Sequence, residues 1–196
     1  MKEALKFGLI LAAICVAAGG LLTVVNRVTG PLIQTRLDEE KNDSLKEVFP
    51  QAQSFEPVQD GDTFLYYRAY DKDKKSIGVA FIASAKGYSS VIETMVGMAQ
   101  DGTINAIKIL QQNETPGLGA RVQEVQTDLT LLGALAGQRS AGSSKPWFQE
   151  QFSGKRVDDL GEVDVITGAT ISSTAVIDSV KEKAEEISRL LKEKTP

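Results

Sequence analysis

The stretch Asp164-Val165-Ile166-Thr167-Gly168-Ala169-Thr170-Ile171-Ser172-Ser173-Thr174 decides how the C-terminal part of this chain is read. Five hydroxyl residues crowd around one Gly-Ala pair, and an amphipathic pattern follows at once. A helix N-terminus carries unpaired N–H groups and a partial positive charge, so it is a natural seat for a phosphate. Ser and Thr at such a place are also ordinary N-caps. The residues alone leave both readings open.

Downstream, Val176, Val180, Ala184, Ile187 and Leu191 recur at helical spacing between Lys and Glu residues. That predicts a helix from Ser173 to Lys192 with one apolar stripe against a sheet. Upstream, Lys155-Arg156-Val157 leads into a short strand or extended segment. Trp147-Phe148 and Phe152 form an aromatic patch whose default role is packing. Trp147, the single tryptophan, also suits stacking on a flat ring. Asp128 to Gln138 is spaced as a helix, and Arg139 to Ser144 as a flexible loop.

Gln111 to Arg121 is a loop built around Glu114-Thr115-Pro116-Gly117-Leu118-Gly119. Pro116-Gly117 is a turn dipeptide, and the glycines allow close backbone approach to a ligand. An ordinary surface turn is the competing reading. Before it, the runs Phe64–Tyr70, Ile77–Ala85, Val91–Met98 and Ile104–Leu110 read as three or four consecutive antiparallel strands, with Asp101-Gly102 a strong hairpin signal.

The N-terminal region is different. Phe7 to Val25 is 19 residues without a charge, roughly 28 Å as a helix at about 1.5 Å per residue. It reads as a retained transmembrane helix. A cleaved signal peptide ending near Val16-Ala17-Ala18 is the alternative. Gly30-Pro31 punctuates its end, and Pro31 suits the first turn of a separate helix from Leu32 to Val48, stopped by Phe49-Pro50. The division expected is therefore an anchor over 1–28, a juxtamembrane helix over 29–50 and a folded domain over 51–196. Charge bias places the N-terminus in the cytoplasm and the large domain outside.

Composition narrows the chemistry. The 196 residues are 42% hydrophobic and 24% charged, with no histidine and one cysteine, Cys15. Imidazole acid–base chemistry, His triads, the usual zinc sites and disulfides are excluded. Residues 1–28 carry Lys2, Lys6 and Arg27 against Glu3, a net of +2, so the total of −4 leaves −6 on the remainder. An acidic domain without a basic stripe argues against a nucleic-acid partner.

Two motifs then carry a resemblance. Asp164-x-x-Thr167-Gly168-Ala169-Thr170 resembles the motif of bacterial proteins that hold FMN covalently through a phosphoester to threonine. The order of membrane helix, Glu114–Gly119 loop, Trp147-Phe148 with Phe152, and Thr-Gly-Ala-Thr before the last helix resembles the G subunits of Rnf (also called Rsx) complexes along essentially the whole chain. The resemblance implies an α+β fold: one N-terminal transmembrane helix, then an FMN-binding domain with an antiparallel sheet flanked by helices. It implies FMN on Thr170, installed by a separate flavin transferase that recognises the motif with Asp164. Glu114, Thr115, Gly117 and Leu118 would lie along the flavin, with Trp147 closing the pocket. Thr167, Gly168, Ala169, Ile171, Ser172, Ser173 and Thr174 would surround the attachment point, Thr174 being the alternative ester site.

The implied function is electron relay, with no complete active site and no metal on this chain. The partners implied are the other components of a ferredoxin:NAD oxidoreductase complex coupled to Na+ or H+ translocation, and membrane lipid, in a bacterial or archaeal cell membrane. The rival readings are the C component of a Na+-translocating NADH:quinone oxidoreductase and an FMN-binding extracytoplasmic sensor or scaffold.

Overall fold

The alternating and continuous apolar runs in the middle of the chain pair into one five-stranded antiparallel sheet with the order β1-β2-β3-β4-β5. The strands are β1 (Ser54–Asp60), β2 (Thr63–Tyr70), β3 (Ser76–Lys86), β4 (Val91–Ala99) and β5 (Ile104–Gln111). The computed structural model describes residues 2–61, 63–125 and 146–193. The helix expected over Asp128–Gln138 and the loop expected over Arg139–Ser144 lie outside those residues.

Each strand joins the next by a short turn, so the sheet is a simple meander. Between β4 and β5, Gly102 takes φ +84°, and the Asp101 carboxylate accepts the Thr103 N–H at 3.0 Å. Those bonds from Thr103 hold the exposed Asp101 carboxyl below its usual value. Four of the five strands follow the expected runs. The sequence does not advertise β1, which mixes Ser54, Glu56, Gln59 and Asp60 with a proline. Pro57 is tolerated because β1 is an edge strand, where one missing donor costs no ladder bond on the open side.

The two faces of the sheet are buried by different elements. On one, Val79, Phe81, Ala83, Ile92, Val96 and Met98 join Val176, Val180, Ala184 and Ile187 of the last helix in one core. This helix, α3 (Thr170–Glu193), begins three residues earlier than its periodicity indicated. Its fully buried Val180 and Ile187 each contribute about 2 kcal/mol through removal from water. Before it come α2 (Trp147–Glu150) and two 3-10 turns, Gly119–Gln123 and Val157–Glu162. Phe148 and Phe152 fill the same core, edge to face with centroids 5.5 Å apart. The strand or extended segment expected from Lys155-Arg156-Val157 onward is corrected to a single bridge between Thr103 and Arg156, after which the chain enters the second 3-10 turn.

On the other face, Ala69, Ala80 and Met95 pack with Leu45, Val48 and Phe49. Gly78 and Gly97 make room for that contact, since a side chain at either would strike Phe49, and at Gly97 also Val48. Asn105 Nδ2 donates to the Val48 carbonyl at 2.7 Å, satisfying one of the acceptors left at a helix end. Lys108 pairs with Glu47 at 2.9 Å.

The first helix, α1, runs unbroken over Lys2–Val48 with Pro31 inside it. The separate juxtamembrane helix expected from Gly30-Pro31 is therefore corrected. Proline removes one backbone donor, but good helix formers such as Leu32, Gln34, Arg36 and Leu37 propagate the turns beyond it. Thr23, Thr29 and Thr35 turn their hydroxyls back onto the carbonyls of Gly19, Val25 and Pro31 at 2.8–3.0 Å, so their polar atoms are satisfied within the helix. This is the one helix among the described residues long and apolar enough to cross a membrane. Its apolar side chains point outward, with Val16 75% and Leu22 70% exposed. By contacts the chain divides into Met1–Asn42 and Asp43–Pro196. The last turns of α1 thus belong to the folded unit.

Candidate functional site

Ile166 to Ala169 make a tight turn, closed by the Ala169 N–H donating to the Ile166 carbonyl at 2.9 Å. Gly168 sits at its third position with φ +84°, a conformation that type II turns reserve for glycine. The turn delivers the chain into α3 at Thr170. By helix geometry, the N–H groups of Thr170, Ile171 and Ser172 have no carbonyl below them, while the Ser173 N–H donates to the Ala169 carbonyl at 2.9 Å.

The five hydroxyls of the Asp164–Thr174 stretch separate into two groups. Thr167, Thr170 and Thr174 are exposed, and Thr170 and Thr174 lie one turn apart on one side of the helix. Ser172 and Ser173 are buried. Ser173 Oγ donates to the Ala169 carbonyl at 2.9 Å and accepts the Ile166 N–H at 3.2 Å. Ser172 Oγ donates to Glu114 Oε2 at 2.6 Å. The side chains of these two serines hold the turn and the helix start together.

Glu114 is the centre of that arrangement. Its carboxylate is buried and accepts the backbone N–H groups of Tyr88 (3.1 Å), Ser89 (3.0 Å) and Ser90 (2.8 Å), and the Ser90 hydroxyl (3.2 Å), besides Ser172. Burial by itself would raise its pKa. The bonds from Ser172, Ser90, Ser89 and Tyr88 outweigh burial and hold it at about 2, so it stays ionised at any physiological pH. Gly87 and Gly119 pack against the same carboxylate, and a β-carbon at either would collide with it. Expected to lie along a flavin, Glu114 is turned inward onto three segments of its own chain.

The loop after Glu114 bends back sharply. The Thr115 carbonyl accepts the N–H groups of Leu118 (3.1 Å) and Ala120 (3.3 Å), and Gly117 takes φ +75°. Thr115, Gly117 and Leu118 are exposed. A β-carbon built on Gly168 would lie 3.8 Å from Leu118 Cδ2, so this loop stands beside the Thr167–Thr170 turn. Arg121 Nη1 ties the two by donating to the Thr167 carbonyl at 2.9 Å. Asp164 is exposed, and its backbone exchanges two hydrogen bonds with the Gln151 side chain at 2.8 and 3.2 Å. Trp147 is 38% exposed at the start of α2, whose Gln149 Nε2 donates to the Val122 carbonyl at 3.2 Å.

Sequence reasoning missed the Tyr88–Ser90 hairpin tip, Arg121 and Gln151. The only signal was Gly87 ending β3, which marks a turn and not a carboxylate cradle.

The arrangement has the elements a flavin phosphate and ring require. An exposed hydroxyl sits at the first residue of a 24-residue helix, where N–H donors and the helix dipole favour a phosphate. Around it, Leu118 is 51% and Ile171 56% exposed, apolar surface suited to a flat ring. Gly168 is exposed and adds no bulk, whereas Ala169 is turned into the core. The residues fit FMN. Among the described residues, no group of three or more His, Cys, Asp or Glu could hold a metal ion.

Comparison with known proteins agrees with that chemistry. Residues 87–185 match the FMN-binding domain family. The G subunit of the ion-translocating oxidoreductase complex of Methanosarcina acetivorans is 29% identical, over 95% of this chain and 96% of its own. The G subunit of the proton-translocating ferredoxin:NAD(+) oxidoreductase complex of Clostridium ljungdahlii is 30% identical, over 88% and 85%. Its Na(+)-translocating counterpart in Acetobacterium woodii is 28% identical, over 91% and 89%. Among solved structures, NqrC of Shewanella oneidensis is similar at a TM-score of 0.45 and 16% identity, over 73% of this chain and 74% of that one. With a matching domain that takes in the Glu114 cradle, the Gly168 turn and the first part of α3, and with relatives alike along nearly their whole length, the chain belongs to the FMN-binding domain family, among the G subunits of ion-translocating oxidoreductase complexes.

Proposed function

We propose that this chain is the flavin-bearing subunit of a membrane ferredoxin:NAD oxidoreductase complex coupled to Na+ or H+ translocation, with FMN esterified through its phosphate to the Thr170 hydroxyl. The observation that carries this reading is the exposed Thr170 at the very start of α3, just past the Gly168 turn. Bound FMN supplies the redox chemistry, and the protein supplies position and electrostatics.

In this reading the Thr170 side chain is the tether. The backbone N–H groups of Ile171 and Ser172 face the phosphate. The exposed Gly168 keeps the approach open, with Ala169 beneath it in the core. Leu118, Ile171 and Trp147 lie against the ring, with Thr115 and Gly117 shaping the loop. Thr174 lies one turn beyond the ester. Asp164 and Thr167 are exposed for recognition by a flavin transferase. No histidine is available to turn a hydroxyl into a hydrolytic nucleophile, which favours a carrier role. Residues 1–28 serve as the anchor in lipid, the rest of α1 as far as Asn42 as its juxtamembrane continuation and the unit Asp43–Pro196 as the carrier domain, with the N-terminus cytoplasmic and the carrier outside.

The test is affinity purification of the tagged full chain from membranes, followed by intact-mass measurement. A gain of one FMN less one water, together with an iron–sulfur ferredoxin-like partner, supports the reading. Quinone-reducing partners would move the chain to the other class of complex. An unmodified chain in a complex that still passes electrons would remove the covalent flavin altogether.

A further inference from the structure

Three segments remote in sequence converge on one carboxylate. The hairpin tip Tyr88–Ser90, the loop that begins at Glu114, and Ser172 in the first turn of α3 are joined by five hydrogen bonds of 2.6–3.2 Å. Burying a carboxylate is costly, and a well-packed apolar residue commonly stabilises a fold as well. The segments that Glu114 joins are the ends and connections of core elements. They carry the exposed Leu118 loop and the start of the helix that presents Thr170.

The chain of bonds continues outward from this centre. Ser172 is two residues from Thr170. Ser173 fixes Ile166 and Ala169 on either side of the Gly168 turn, and Arg121 fixes Thr167. Gly119 packs directly on the Glu114 and Ser172 side chains, so Leu118 next to it is referenced to the same point. The Glu114 oxygens are buried and occupied by protein donors.

We propose that Glu114 is a positioning residue and not a flavin contact. Through Ser172 it sets the first turn of α3, and through the Thr115–Gly119 loop it sets Leu118. The Thr170 hydroxyl and the apolar surface for the ring are thereby held at one fixed spacing. This rests on the attachment at Thr170 proposed above.

The test compares full-length wild type, Ser172→Ala, Glu114→Gln, Thr170→Ala and Ile187→Ala, each co-expressed with the flavin transferase. Ser172→Ala deletes one of the five bonds and leaves the helix intact. Ile187→Ala opens a cavity elsewhere in α3 and serves as the stability control. The FMN adduct is followed by intact mass over time, the attached flavin by visible circular dichroism, and folding by the melting temperature. Ser172→Ala is expected to lower the melting temperature no more than Ile187→Ala. It should nevertheless slow attachment by roughly tenfold or more and weaken the flavin dichroism, because misplacing a reacting group is costly in rate. Glu114→Gln should show the same effects, larger. Ile187→Ala should take flavin at the wild-type rate.

If Ser172→Ala takes flavin at the wild-type rate with wild-type dichroism, the positioning role is refuted. Attachment that merely follows melting temperature across all variants also refutes it. A wild-type chain that takes no flavin, or a Thr170→Ala chain that still does, refutes the attachment itself, which is a separate and visible outcome.

Discussion

Replacing Glu114 with Gln keeps the shape of the side chain and removes its charge. In the native fold the carboxyl is held at about 2 against an ordinary 4.5. At about 1.36 kcal/mol per pKa unit that difference corresponds to about 3 kcal/mol, and solvent at the edge of the cradle trims it to about 2 kcal/mol. The sign follows from the direction. A carboxyl whose folded pKa is depressed stabilises fully above its unfolded value, and that stability is lost as pH falls through the folded value. For the folded unit, about 2 kcal/mol is a drop of roughly 4–8 °C in melting temperature at pH 7. The amide also turns a donor toward either the Tyr88 N–H or those of Ser89 and Ser90, so this is a lower bound. The assay is thermal unfolding of both full-length proteins in neutral detergent from pH 7 to pH 2. The gap between them should be constant down to about pH 4.5 and shrink toward pH 2. Equal melting temperatures at pH 7, or a gap unchanged at pH 2, would refute the cradle as the source of the stabilisation.

Other consequences are simpler to state. Gly119→Ala should destabilise by about 1–3 kcal/mol through overpacking against Glu114 and Ser172, whereas Gly117→Ala, in open space at φ +75°, should cost only about 1 kcal/mol of backbone strain; chemical denaturation separates the two. Thr170→Ala, at an exposed position, should stay within about 0.5 kcal/mol of wild type in stability while losing all flavin mass. Asn105→Ala should cost about 1 kcal/mol by removing the 2.7 Å bond to the Val48 carbonyl, measurable as a shift in denaturation midpoint.

The elements with strong periodicity were legible. The uncharged run Phe7–Val25, four of the five strands and the stripe of α3 each announce themselves through hydropathy patterns that hold locally. β1 did not, because an edge strand needs few apolar residues and Pro57 disguised it. Pro31 misled for the opposite reason. Local preference favours a helix break there, but a long helix absorbs one missing bond. At the site, the motif marked the region but not the division of labour within it. Ser172 and Thr170 are both hydroxyls near a helix start, and only the fold turns one inward to Glu114 and leaves the other exposed. The Tyr88–Ser90 tip lies 24–26 residues from Glu114 in sequence, a separation that no local pattern encodes. Glu114 stands out in the sequence, but its inward orientation depends on those distant donors.

Fragmentation mass spectrometry of the tryptic peptide from Val157 to Lys181, taken from the chain in its membrane complex, tests the central claim most directly. This peptide contains Thr167, Thr170 and Thr174 together. One FMN phosphoester is expected, on Thr170, with the same peptide unmodified in Thr170→Ala. A flavin on Thr174 or Thr167, or an unmodified peptide from a complex that is active in electron transfer, would contradict it.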